Sequence, residues 1–425
     1  LLNQFCKKNG IFKINGMGAN NMLEKWYKEI ESMSDQMVEW RRYLHENPEL
    51  SFQEINTSKM IGDLLESFGV EVRRNVGGNG VVGKIYGAKP GKTVALRADF
   101  DALPIQDEKD VAFKSKVPGV MHACGHDGHT ATLLAVAKVL QENAENLAGN
   151  VVLLHQHAEE LPPGGAIAMI EDGCLDGVDV VYGAHLASGT ELGSVLYGIG
   201  PVSAASDSFD LKIQGKGGHG ASPHQTIDAV AVGAQIANQL KHIVSRRINP
   251  QKPAVISIGS FHAGNAGNVI ADTAELTGTV RTFDEDVRLL IEEEMEQLIS
   301  GVCKAFQATY EFSYLKGYPS TVNTADETNI LEKCLIDVLP ESKLEKIDKP
   351  GLGGEDFAYY LQNRPGCFFS VGARNEEIDA IYPHHHPKFT FDERAMLHTA
   401  KIFLSLVDYY TNAEKKAALV NSSTI

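Results

Sequence analysis

Apolar residues of this chain recur with two periods, and the switches between them mark out its elements. Over residues 22–68 the period is helical. Trp26, Ile30, Met33, Met37 and Trp40 fall on one side, Pro48 breaks the pattern, and a second helix is predicted over about 53–68 with Gly69 as its stop. Residues 80–104 read as strands, with Val94, Leu96 and Ala98 alternating with polar or small neighbours. Leu133, Leu134, Ala137 and Leu140 then mark a helix, and short apolar runs at 151–154 and 178–182 read as buried strands. Around Ser203 the character changes. Phe209, Leu211 and Ile213 alternate as a strand; 227–243 is an amphipathic helix; 255–260 and 274–282 are strands; 284–306 is a long acidic helix; and 309–315 is a last strand. A helix over about 324–339, a Gly-rich turn at 351–357 that opens another helix, a strand at 367–371 and a terminal helix over about 393–412 resume the earlier pattern.

The middle segment has the order βαββαβ, which is the split βαβ, ferredoxin-like arrangement. The chain is therefore expected to be α/β with two domains. Residues 22–205 and 318–412 form a larger catalytic domain, and 206–317 form a compact lid inserted into it. Residues 1–21, rich in Asn, Gly and Lys, read as a poorly ordered tail with Met22 as the expected start, and 413–425 as a polar tail. A length of 425 residues agrees with two cores rather than one.

Composition narrows the function by exclusion. The net charge of -16 argues against nucleic acid or an anionic membrane surface as partner, although a local Arg can still hold an anionic substrate. The six cysteines are scattered, which argues against a disulfide framework and for a reducing compartment; a cytoplasmic location is expected. No apolar run approaches the roughly 20 residues of a membrane span, and no signal-peptide apolar region is evident.

The densest chemistry lies in the turn at 121–131, where Cys124, His126, Asp127 and His129 surround Gly125 ahead of an apolar helix. Thiol, imidazole and carboxylate are the side chains that bind divalent transition metals. Asp127 could equally serve as the helix cap. Three strands in succession then end in residues of the same kind. The first runs into Asp99 and Asp101, the second into Glu159 and Glu160, and the third into His185. Open α/β sheets place their sites at such carboxyl ends. Adjacent glutamates point in different directions, so one can hold a metal while the other faces a water. The two aspartates suit hydrogen bonding to metal-bound histidines better than direct ligation, and His45 reads as a packing or supporting residue.

Taken in order, HACGHDGHTA, AEE, GAH, KGGHGASPH, GNVIADTAELTGTVR, GGEDF and HPKFTFDE resemble the amidohydrolase branch of the aminoacylase/carboxypeptidase metallopeptidases. That branch includes hippurate hydrolases, N-acyl-amino-acid amidohydrolases and auxin–amino acid conjugate hydrolases. The resemblance covers about residues 22–412. It implies a two-metal site in the larger domain and a smaller lid that often dimerises, so that a homodimer or tetramer through the lid is expected. It implies Cys124, His126, Glu160, His185 and His385 as ligands of two divalent ions (Zn, Mn, Co or Ni), with Glu159 as general base. His219, Asn268 and Arg281 fall on substrate-contacting lid positions, His219 as donor to the oxyanion and the other two as a clamp on the substrate carboxylate. Asp99, Asp101 and Asp127 are expected to orient ligand histidines, and Glu355 to stand behind the pocket wall. His155 and His157 occupy positions where Phe and Pro are usual, and His384-His385-His386 replaces a single His; counting back from Pro387 selects His385.

The expected activity is metal-dependent hydrolysis of the amide of an N-acyl amino acid. A dipeptidase or carboxypeptidase on the same fold is the nearest alternative, since both substrates carry a free carboxylate. A catalytically dead binding protein would not need the whole ligand set together with Glu159. Nucleophilic catalysis by Cys124 with His126 would leave Glu160, His185 and His385 without a role.

Overall fold

A computed structural model of the chain describes residues 20–339 and 344–412. The tails expected at 1–21 and 413–425 lie outside the described residues, except that the first helix, Asn20–Ser32, begins two residues inside the former. The helical stripe over 22–46 is broken at Met33 into Asn20–Ser32 and Ser34–Glu46. The hydroxyls of Ser32 and Ser34 donate to the carbonyls of Glu29 and Glu31, each at 2.7 Å, and so compete with the helical ladder.

The larger domain is built on an eight-stranded sheet whose centre is four parallel strands. Ala148–Gln156 lies beside Lys89–Asp99, then Val180–Glu191, then Gly366–Arg374. The period-2 alternation divides their side chains between two cores. Val94, Leu96, Ala98, Val151 and Leu153 pack under the helices His126–Glu142 and Arg394–Thr411. Ala95, Val152 and Leu154 pack on the opposite face against Phe357 and Tyr360 of the short helix Phe357–Asn363. Both faces are covered, which explains the near-continuous apolar runs of these strands.

The strand expected at 178–182 is longer than its apolar run: it extends as Val180–Glu191, so His185 lies within the strand rather than at its end. Pairing with Gly366–Arg374 continues along it as far as Glu191, and this non-local ladder, not local propensity, sets its length.

The smaller unit has the expected order. Ala254–Ala263, Thr273–Thr282, Ala205–Gln214 and Thr309–Leu315 form an antiparallel four-stranded sheet, and helices Ala229–His242 and Glu285–Ala305 cover one face. Phe209, Leu211 and Ile213 point into that core, while Ser208, Asp210, Lys212 and Gln214 are exposed. The two chain crossings between the domains run side by side, with Gly200–Ser203 paired to Thr321–Asn323.

Candidate metal centre

The helix His126–Glu142 starts where Gly125 takes a left-handed backbone, φ 102°, which a side chain would resist. This turn sets the Cys124 thiol and the His126 ring over the carboxyl ends of the parallel strands. Cys124 Sγ lies 3.3 Å from His185 Nε2. His126 Nε2 lies 3.8 Å from Glu160 Oε1 and 3.9 Å from Glu159 Oε2. His385 Nε2 lies 3.3 Å from Glu160 Oε1. The donor atoms of Cys124, His126 and His185 fall within 4.8 Å of one another, as do those of Cys124, Glu160 and His385. All five expected ligands therefore occur in two groups that share the thiol. His126, Glu159 and Glu160 form a third, overlapping group.

Hydrogen bonds decide which ring nitrogens are free. His126 Nδ1 faces the Asp101 carbonyl at 3.0 Å and its carboxylate at 3.2 Å, while Nε2 is buried without a hydrogen-bond partner among the described residues. His185 Nδ1 donates to the Leu186 carbonyl at 2.9 Å, which turns the Nε2 lone pair toward Cys124. These are the tautomers a metal ligand needs. His129 is close enough to Asp99 and His126 to form another group. Both of its nitrogens are engaged, however: Nδ1 with Asp99 Oδ1 at 2.6 Å, and Nε2 as acceptor of the Leu186 N–H at 2.9 Å. Asp99 thus steadies the strand that carries His185 through His129, and its other oxygen lies 3.6 Å from His126 Nε2.

Of the three consecutive histidines, His385 takes a left-handed backbone, φ 64°, and its N–H donates to the Ala123 carbonyl at 2.8 Å, which draws it to Glu160. His384 Nε2 accepts from the Ser188 N–H at 3.3 Å, and the His386 ring stacks on Tyr382 with centroids 4.7 Å apart.

The surroundings are rich in acid. Burial, then the nearby Glu160 and Glu159 carboxylates, push the Cys124 thiol well above its ordinary range. Burial, then Glu355 and Glu160, do the same to Glu159. Burial alone would lower His126, but Asp99, Asp101 and Glu160 outweigh it and raise its pKa to about 10. Divalent cations suit such a cluster, because they let thiol and carboxylates ionise together. The free Nε2 lone pairs and the shared thiol fit two ions.

The role expected of Asp127 is not found. Its carboxylate accepts from Arg41 Nε at 2.9 Å and His45 Nδ1 at 2.7 Å, with no bond to an expected ligand. Its neighbour His126 points to the strand ends, and one residue along a helix turns a side chain by about 100°, here toward Ser34–Glu46. Sequence reasoning also missed Arg97. It is buried in mid-strand and donates to Asp99 at 2.5 Å, Asp356 at 2.9 Å and Gln156 at 2.9 Å, with Glu355 3.1 Å away. A lone Arg inside an apolar strand was the available signal, since a buried charge needs partners.

The donor sets open into a cavity of about 620 Å³ whose other walls include Val202, Ile347, Phe368, Phe369 and Arg281. Arg281 Nε and Nη1 are occupied by the carbonyls of Leu352, Asp207 and Val280 and by the Thr279 hydroxyl. This leaves Nη2, and so one charge-assisted bond rather than a two-pronged clamp. His219 and Asn268 are exposed and do not line the cavity. His219 Nδ1 accepts from the Ala221 N–H at 3.0 Å, so its Nε2 carries the proton and can donate.

Residues 95–409 match the model of peptidase family M20/M25/M40. The chain belongs to that family. Family M20/M25/M40 relatives are similar over most of their length. YhaA of Bacillus subtilis (strain 168), which carries a provisional amidohydrolase name, is 54% identical over 91% of this chain and 97% of its own. The N-acyl-L-amino acid amidohydrolase of Geobacillus stearothermophilus is 49% identical over 69% of this chain and 80% of its own. Thermostable carboxypeptidase 2 of Saccharolobus solfataricus is 45% identical over 88% and 95%. The crystal structure of B. subtilis YxeP, described as a dinuclear metal-binding M20 peptidase, superposes with a TM-score of 0.77 at 34% identity, covering 89% of this chain and 98% of that one. As an M20 enzyme, the chain is a hydrolase of amide bonds. No described helix is long and apolar enough to cross a membrane.

Proposed function

We propose that the protein hydrolyses the amide of N-acyl amino acids with two divalent ions, one held by Cys124, His126 and His185 and the other by Cys124, Glu160 and His385. The observation that carries this reading is the pair of donor sets sharing one thiol, with Glu159 beside them. Ions held by these residues would supply Lewis acidity and would lower the pKa of a water toward about 7. Glu159 takes the proton of that water and delivers it to the leaving nitrogen, which makes the amine a competent leaving group. Arg281 Nη2 holds the substrate carboxylate. The apolar walls at Val202, Ile347, Phe368 and Phe369 accept the acyl group. His219, through Nε2–H, and Asn268 reach the reacting carbonyl only when residues 206–317 move as a unit or when a second copy of the chain supplies them.

The carboxypeptidase name of one relative keeps a peptide-cleaving activity in view, and one panel separates the two. N-acetyl- and N-benzoyl-amino acids are expected to have kcat/KM at least tenfold above dipeptides of the same C-terminal residue. Amidating the carboxylate should cost about 1.5–3 kcal/mol of transition-state binding, as for a hydrogen bond to a charged group, and Arg281→Ala should abolish that preference. Faster turnover of dipeptides would replace this reading with the dipeptidase one. An Arg281→Ala enzyme that keeps the preference would remove Arg281 from substrate binding.

A further inference from the structure

The loop from Ala158 to Glu160 carries both the base and a ligand, and its backbone is held at three points. The Ala158 N–H, in a left-handed conformation with φ 53°, donates to Glu54 at 2.8 Å. The Glu160 N–H donates to Asp101 at 3.0 Å. The Glu159 carbonyl accepts the Tyr318 hydroxyl at 2.5 Å. Glu54 and Asp101 come from the larger domain. Tyr318 comes from the crossing that leaves the smaller one.

That crossing is fixed to the smaller domain on both sides. The Tyr318 carbonyl accepts from Ser206 N–H at 3.0 Å, at the start of Ala205–Gln214. One residue earlier, Gly317 N–H donates to Asp207 at 3.0 Å, and the Gly317 carbonyl accepts from Arg288 at 2.7 Å. The buried Asp207 carboxylate also takes Arg288 Nε at 2.9 Å, Arg288 Nη2 at 2.6 Å and the Tyr314 hydroxyl at 2.9 Å. A Cβ at Gly317 would come 2.0 Å from the Ser206 carbonyl, so the approach needs glycine there. Tyr318 itself is buried, with its ring edge-on to Tyr359 and its flank on the cavity wall.

We infer that Tyr318 is a positioning residue that sets the Glu159 carboxylate through its backbone carbonyl and links that setting to the orientation of the smaller domain. This rests on Glu159 being the general base. The Asp207–Arg288 knot belongs to the smaller domain, and Tyr318 is the first residue past it. A rotation about the paired crossings therefore shifts the Tyr318 oxygen, and with it the Glu159 carbonyl. The cost of a misplaced catalytic group is steep, about 100-fold for a displacement near 1 Å.

Tyr318→Phe removes the hydroxyl and keeps the ring. The account expects kcat to fall about 10- to 100-fold, with KM within about twofold and with bound metal and melting temperature kept. Hydrogen–deuterium exchange of a peptide covering 157–161 should quicken in both metal-free and metal-loaded protein, which no change in turnover alone would produce. A Tyr318→Phe enzyme with wild-type kcat overturns the inference. So does a loss of kcat that comes with equal loss of metal, or with unchanged exchange at 157–161. Glu159→Gln is made in parallel. Should that variant retain full kcat, the base assignment fails and the inference falls with it; should it lose kcat while Tyr318→Phe does not, only the role of Tyr318 is refuted.

Discussion

His155 is the residue whose chemistry fits its surroundings least. By strand parity it lies on the face of Val151 and Leu153, level with Val81 and Ala98 on the flanking strands, and it is fully buried. Neither ring nitrogen meets a partner among the described residues, and burial pushes its pKa down to about 3. The sequence shows the oddity, a His at the end of an apolar run, but not its cause, because only pairing and packing reveal that both nitrogens are orphaned. A base whose folded pKa lies below its unfolded value binds fewer protons folded than unfolded between those two values. It therefore removes stability as pH falls through the window from about 6.5 to about 3. His155→Phe should stabilise the protein by about 1–3 kcal/mol at pH 7, and the gain should grow by roughly 1.4 kcal/mol per unit below pH 6.5. Denaturant unfolding of both proteins at pH 7 and 5.5 checks this; a gain that does not widen with acid contradicts it. The same contrast holds for Asp127 and Arg97. Residue type announced that each must have partners, while helix phase and sheet position decided which.

At the scale of elements, most of the fold was legible because its apolar periods are clean. The alternation of Phe209, Leu211 and Ile213 and the helical stripes at 227–243 and 284–306 appear where they were expected, since each buries one face on a local core. Two elements depart from the expected pattern: the break at Met33, where the Ser32 and Ser34 hydroxyls compete locally with the helical ladder, and the extension of Val180–Glu191 along the distant strand Gly366–Arg374. The donor residues were legible by type and order. Their supports were legible only in part: Asp101, expected to orient a ligand histidine, faces His126 Nδ1, whereas Asp127 turns to Arg41 and His45, because a support is defined by geometry between elements. Asp101 does more than was expected of it, since it joins the strand end, the helix start at His126 and the Glu160 N–H, with Ser51 donating to it at 2.6 Å. Asp101→Asn keeps the volume and removes the charge that faces His126 Nδ1. Metal affinity should fall about 10- to 100-fold, read by competition with a chelator of known affinity. Unchanged affinity would mean that the carbonyl of residue 101 alone orients His126.

For the whole molecule, two domains meet across the cavity. Every expected metal ligand lies on the larger one, whereas Arg281, His219 and Asn268 lie on the smaller. This division explains why the larger domain's site is assembled within one chain while His219 and Asn268 stand apart from it. On the proposed reading, Glu160 holds a metal while Glu159 beside it passes the proton from water to leaving nitrogen. The central claim is that division of labour between adjacent glutamates, and Glu159→Gln tests it most directly, with bound metal and kcat measured on the same preparation with an N-acyl amino acid. The account predicts wild-type metal content, two ions per chain, and kcat lowered about 10²–10⁴-fold. Metal lost from Glu159→Gln, or full kcat with metal retained, would contradict it.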